Sequence, residues 1–427
     1  MEMSRMELMP GVWLNHLRSD QFNTACLSVS LLTQLQRETA AMNAALPFVL
    51  RRGTTLYGDE EALRARMDEL HGVTVEPVVR RFGEIQSIGF LAGIPESASL
   101  PGKEDVLRPA CELLGELLLH PATRGGLLLP RYVDEERARL TETLENRAAD
   151  PRRYAMARCT EEMCCFEDFA VDALGSAEEM RNVRYQKLSK HYRALLPVCP
   201  VEIFYCGSAG RRQLAGILRE ALSTLPRGEI DGELGTEVRM NALEEQPREV
   251  FETLPGAPDV LVMGFRLGEC MEDPDPAALA MFDRILGGSS SRLFAQLREK
   301  GLLDGQAEVL TDLHKGLLLL ALELGPDKKD AAREAVLNRI EGMGRGEIQS
   351  DELFTAAAQI NKTARRLEED PAALEGYWLP QIVSGLDDSP SELAKLCEDV
   401  KKDAIAAIAR GLDCDLIYFL SGAETEA

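Results

Sequence analysis

Long apolar runs are missing from this sequence. The longest covers residues 317–322, against the roughly 20 residues that a membrane-crossing helix needs, so no such helix is expected. The opening residues lack the apolar stretch of a signal peptide, and the chain is expected in the cytoplasm. Basic charge is in deficit too: 48 Lys and Arg face 71 Asp and Glu, for a net charge of -23. With no surplus of cations to displace counterions from phosphates, the balance argues against nucleic acid as a partner. The same deficit argues against docking on anionic lipid. Acidity on this scale serves solubility first and attraction of basic peptides second.

Histidine is scarce. The five are His16, His71, His120, His191 and His314. No two fall within five positions, so none pair on one helical face as zinc ligands do. His71 and His120 precede Gly72 and Pro121 at expected helix C-termini, where a cation complements the dipole. Ten cysteines are present, but in a reducing compartment they act as small buried hydrophobes. Cys159, Cys164 and Cys165 cluster without the C-x2-C spacing of a metal site. No dinucleotide or P-loop motif occurs, and the glycine-serine run 287–291 follows a helical stretch rather than a strand. No signature of a Ser-His-Asp or Cys-His triad is found. No cofactor is expected.

What is there is a globular composition, 45% hydrophobic and 28% charged, over 427 residues, enough for two domains. One architectural phrase is used twice. The first copy opens on a strand at Leu27, Val29 and Leu31, followed by a helix over 38–51 and Gly53-Thr54. A second helix over 59–70 stops at Gly72, and strands over 73–82 and 85–91 follow. The second copy opens on residues 260–263, with a helix from Asp275-Pro276 to Gly287-Gly288. Its next helix, 291–300, stops at Gly301 and leads into strands over 307–313 and 317–322. Each copy continues through an amphipathic helix and a long charged helix to an Asp-Pro pair, Asp150-Pro151 and Asp370-Pro371, and closes on a glycine-capped strand. Gly53 and Gly287 lie 234 residues apart, and Gly207 and Gly422 lie 215 apart. A shared order with slowly shrinking offsets reads as a duplication with small deletions. The expectation is an α+β protein of two tandem homologous domains, each a mainly antiparallel sheet covered by helices, at 1–225 and 249–427, joined by a polar linker at 226–248.

The phrase Gly287-Gly288-Ser289-Ser290-Ser291-Arg292-Leu293-Phe294, followed by Leu297-Arg298-Glu299-Lys300, resembles a hallmark of the insulinase/pitrilysin metallopeptidase family. The Leu-Pro-Phe-Val-Leu-Arg-Arg-Gly-Thr phrase at 46–54 and the tandem duplication are similar to that family as well. The resemblance covers nearly the whole chain and implies the metallopeptidase fold shared by LuxS and mitochondrial processing peptidase. Active members hold zinc through an inverted H-x-x-E-H motif on the helix before the Gly-Thr pair. Here those positions fall on Ala44, Pro47 and Phe48. A methyl group, a proline ring and a benzene ring offer no donor atom, and catalytic zinc needs three protein ligands. Pro47 also removes a donor from a helix interior, at about 3 kcal/mol, and is expected to kink it. The further Glu of the family would fall near Thr143 or Leu144, and Glu142 and Glu145 read as solvated helix charges.

The resemblance therefore implies an inactive homologue, not itself an enzyme. In two-subunit members a zinc-free subunit pairs with a zinc-bearing sister and helps to enclose a peptide. The inert subunit contributes the Arg of the Ser-Arg-Leu-Phe phrase and a Tyr after the Arg-Glu-Lys phrase. The Arg is Arg292, with Ser291 and Gly288 beside it as candidate substrate-binding residues; the Tyr position falls on Asp304 or Gly305. Against substrate contact stands a salt bridge from Arg292 to Asp283 or Glu299. The alternative function is a purely structural or binding protein of the same fold.

Overall fold

The computed structural model describes residues 3–268 and 275–423. Strand periodicity explains its sheets. In the run 317–322, Leu318, Leu320 and Leu322 enter one apolar cluster while Leu317, Leu319 and Ala321 enter another. Unbroken hydrophobicity here means a strand covered on both faces.

The elements in chain order begin with β1 (Met3–Met9), β2 (Val12–Arg18), β3 (Thr24–Gln34), α1 (Arg37–Leu50), α2 (Glu60–Glu69), β4 (Thr74–Phe82) and β5 (Ile85–Pro95). After α3 (Leu107–Leu119), a minimal ladder of β6 (Thr123–Arg124) and β7 (Leu127–Leu128) leads to α4 (Pro130–Glu145), α5 (Pro151–Met163), α6 (Ala177–Arg181), α7 (Tyr185–Leu195), β8 (Val201–Gly207) and α8 (Arg211–Ala221). The second half holds β9 (Arg248–Thr253), β10 (Val260–Arg266), α9 (Pro276–Gly287), α10 (Arg292–Glu299), β11 (Ala307–Asp312), β12 (Leu317–Glu323) and α11 (Lys329–Gly344). It closes with α12 (Ser350–Leu367), α13 (Pro371–Ser384), α14 (Pro390–Asp399), α15 (Lys402–Gly411) and β13 (Asp413–Ser421).

The duplication is visible in the sheets. One has the order β1-β2-β8-β3-β5-β4 and the other β11-β12-β10-β13-β9. In each, one parallel pair joins the closing strand of the repeat to the strand at its outer side, β8 with β2 and β13 with β9. The pairs around the opening strands β3 and β10 are antiparallel. This is the α+β architecture of two similar halves expected from the sequence.

The compact units are drawn differently from the contiguous spans 1–225 and 249–427. One unit comprises Met1–Glu145, Val171–Gly235 and Leu367–Asp387, and the other Asn146–Ala170, Thr236–Arg366 and Asp388–Ala427. The helices that follow the two Asp-Pro pairs are the reason. In the first unit, α13 lays Leu374 and Trp378 on Leu17, Phe204 and Cys206. Arg80 on β4 donates two hydrogen bonds of 2.8 Å to the carboxylate of Glu375 on that helix, which is fully buried. In the second unit, α5 covers its sheet with Ala155, Met156, Cys159 and Met163. Asp150 and Asp370 cap these helices by accepting the backbone N–H groups of Arg153 and Ala372.

The second unit also buries a charged cluster. Arg266 ends β10, and β13 carries an irregularity opposite it: Gly264 faces Leu416 while Phe265 faces Cys414, leaving Asp415 as the extra residue. A bulge of this kind re-aims a side chain. Asp415 accepts from Arg266 Nε at 2.9 Å, and Glu167 accepts from Arg266 Nη2 and Lys315 Nζ at 2.7 Å each.

Candidate functional site

The helix that would carry a metal motif is α1. Its residues Ala40 to Pro47 are all buried, and Ala44 has no exposed surface at all. The helix runs unbroken through Pro47, and the Pro47 carbonyl still accepts the Arg51 N–H at 3.1 Å. The helix stays continuous across the lost donor, held on both sides by the surrounding apolar core. Phe48 is half-buried, and the Arg139 guanidinium of α4 lies 4.6 Å from its ring centroid. Thr143, one turn along α4, spends its hydroxyl on the Arg139 carbonyl at 3.0 Å, and Glu145 pairs with Arg181.

These residues do not fit zinc. The three α1 positions have no lone pair to donate, and a guanidinium already lies over the ring in place of the second histidine, where it repels any further cation. Among the described residues, no group of three or more His, Cys, Asp and Glu side chains is arranged to hold a metal ion.

A polar network behind α1 is not apparent from sequence. Buried Asn43 donates to Gln86 Oε1 at 2.8 Å and accepts from His191 Nε2 at 2.5 Å. Gln86 in turn donates to the carbonyls of Ala40 and Ala173. Burial, with Lys187 nearby, holds the His191 pKa below the ordinary histidine value. The one available signal was the pair of amides at otherwise apolar positions of a helix and a strand.

The loop between α9 and α10 is built for a close turn. A Cβ on Gly287 would stand 2.4 Å from Val309 Cβ on β11, and one on Gly288 would stand 2.4 Å from the Arg284 carbonyl. Ser291 is the N-cap of α10: its Oγ accepts the Phe294 N–H at 3.4 Å and donates to the Leu286 carbonyl. Gly288 and Ser291 are buried with their geometry committed to the turn. Of the three candidate contacts, Arg292 alone presents an exposed side chain.

The two acids expected to neutralise Arg292 do not do so. Half-buried Asp283 accepts from the Thr311 hydroxyl at 2.7 Å, and desolvation raises its pKa. Among the described residues, no carboxylate pairs with Arg292. It lines a cavity of about 360 Å³ between α10 and α11. At the position where a tyrosine would fall, Asp304 pairs with Lys328. A Cβ on Gly305 would meet Glu323 Cβ at 2.9 Å, so no phenol fits without moving β12.

Comparison with known proteins bears on this geometry. Residues 183–360 match the family model described as the Peptidase M16 inactive domain. The chain is 25% identical over 416 residues to the probable inactive metalloprotease YmfF of Bacillus subtilis, covering 97% of this chain and 96% of that one. A conserved protein from Enterococcus faecalis shares the fold with a TM-score of 0.89 at 20% identity, over 100% of both chains. A peptidase M16 inactive domain from Pseudomonas fluorescens does so with a TM-score of 0.75 at 15% identity, again over 100% of both.

Proposed function

We propose that this chain, which carries a Peptidase M16 inactive domain and is a non-catalytic relative of that family's peptidases, serves as the inert subunit of a two-chain zinc peptidase. In this reading a zinc-bearing sister subunit supplies the metal, and this chain binds the peptide substrate and helps to enclose it. The observation that carries the reading is a contrast. The metal-binding positions on α1 are occupied by packing residues, while the turn of the second unit holds an exposed cation, Arg292, with no carboxylate partner among the described residues. Arg292 is the substrate contact, held by the turn that Gly288 and Ser291 make possible.

The setting proposed is the cytoplasm. No described helix is long and apolar enough to cross a membrane. The described cysteines are free thiols, most of them buried, which supports a reducing compartment.

Co-expression with an M16 peptidase that carries the H-x-x-E-H motif in the same genome tests the reading. A 1:1 complex that cleaves peptides, and loses activity to a chelator or to Arg292→Gln, is the expected result. A chain that stays apart from every such partner and holds no peptide refutes it, and leaves a structural role for the same fold.

A further inference from the structure

Three cations converge on one cavity of a chain whose net charge is -23. Arg292 opens α10, Lys300 follows its last turn, and Arg339 projects from α11. All three line the cavity of about 360 Å³, with the amides of Gln296, Asn338 and Gln349 beside them. Among the described residues, neither Arg292 nor Lys300 pairs with a carboxylate.

Arg339 is partly spent. Its side chain is 9% exposed; Nη1 donates to the Glu347 carbonyl at 3.1 Å and Nη2 to Glu352, but its buried Nε has no partner. Glu347 is the acid lining the cavity, and its carboxylate is engaged by Arg345 at 2.9 Å. Burial lowers the Arg339 pKa against the pull of Glu352, and the charge of Arg292 lowers it further. Two guanidiniums thus feel each other across the cavity, and Glu352 and Glu347 offset only part of the charge. A planar carboxylate matches the guanidinium fork and would relieve that repulsion.

We propose that this pocket binds a carboxylate of the held peptide, either its C-terminus or an acidic side chain. The inference rests on the peptide-holding reading above and adds the class of group recognised. The test uses the full chain and a fluorescein-labelled alanine-rich peptide in three forms: free C-terminal acid, C-terminal amide, and amide with one internal glutamate. A form with a carboxylate is expected to bind about tenfold tighter than the plain amide. Arg292→Gln and Lys300→Gln, both at exposed positions, are expected to remove that advantage. Preference for the free acid alone assigns the C-terminus; preference for the glutamate form alone assigns a side chain. Equal affinity of all three forms overturns the carboxylate pocket and leaves peptide binding intact. If no form binds, the peptide-holding reading fails, and titration calorimetry with succinate decides the pocket by itself. Heat that disappears in the two variants supports it, and absence of heat in the parent chain overturns it.

Discussion

Arg266→Met is the sharpest probe of what holds the second unit together. The arginine is fully buried, and its partners Glu167 and Asp415 are 1% and 0% exposed. Methionine keeps much of the volume and removes the charge. Glu167 would retain Lys315 at 2.7 Å, but among the described residues Asp415 would keep only Arg248 at 3.4 Å, whose side chain is 22% exposed. An orphaned buried carboxylate is therefore the main consequence, and breaking a buried pair in this way costs about 3–5 kcal/mol. Adding Asp415→Asn removes the orphaned charge and should recover about 2 kcal/mol, so the two changes are strongly coupled. The assay has to see the right unit. Both tryptophans, Trp13 and Trp378, belong to the first unit, so urea unfolding should be followed by circular dichroism, with hydrogen exchange on β10 and β13 as the local readout. A shift under about 1 kcal/mol, or a double variant that loses the sum of the two single effects, would refute the reasoning.

Three other outcomes are expected. Burial holds His16 and His191 below the ordinary value of 6.5, so the unfolded chain takes up protons that these folded side chains refuse. Their contribution is complete above pH 6.5 and declines as pH falls toward the folded values; His191→Gln should flatten this part of a stability-against-pH curve. Arg80→Ala strands buried Glu375 and should cost about 3 kcal/mol or more, read directly from Trp378 emission on the same helix. Ala44→His with Pro47→Glu and Phe48→His restores ligand types but forces an imidazole into a site with no exposed surface. It should destabilise the chain by about 1–3 kcal/mol, and metal analysis should find less than stoichiometric zinc; a full complement would contradict the account of α1.

Local signals explain why so much of the fold was legible. Asp59 and Asp275 accept N–H groups at the starts of α2 and α9 as their positions announced, and Gly72 and Gly301 adopt positive φ after α2 and α10. The membership of α5 and α13 was not legible. Each carries an apolar stripe at spacings of three and four, such as Met156, Cys159 and Met163 or Leu374 and Trp378. A stripe reports that a face is buried, not which sheet buries it. The Glu167, Arg266, Lys315 and Asp415 cluster escaped for a related reason. Its members lie up to 248 positions apart in sequence, and a charged residue read alone looks like surface; only tertiary pairing turns these four into core.

The candidate site divides along the same physical line. Ala44 is explained by packing in the core under α1, and Pro47 is buried beside it. Phe48 has Arg139 over its ring, which accounts for an aromatic at the helix edge. Arg292 has no such account. It is exposed, pairs with no described carboxylate and contributes no cap, since Ser291 caps α10. Substitutions at exposed positions of this kind change stability by only about 0.5 kcal/mol, so the energetics of the fold place no demand on a guanidinium there. Lys300 at the other end of the helix is exposed as well, but it is the C-cap residue of α10, where its charge also complements the helix dipole. Arg292, a cation without a structural role, faces a cavity together with Lys300 and a third cation whose Nε is unsatisfied, and an anion from outside the chain accounts for it.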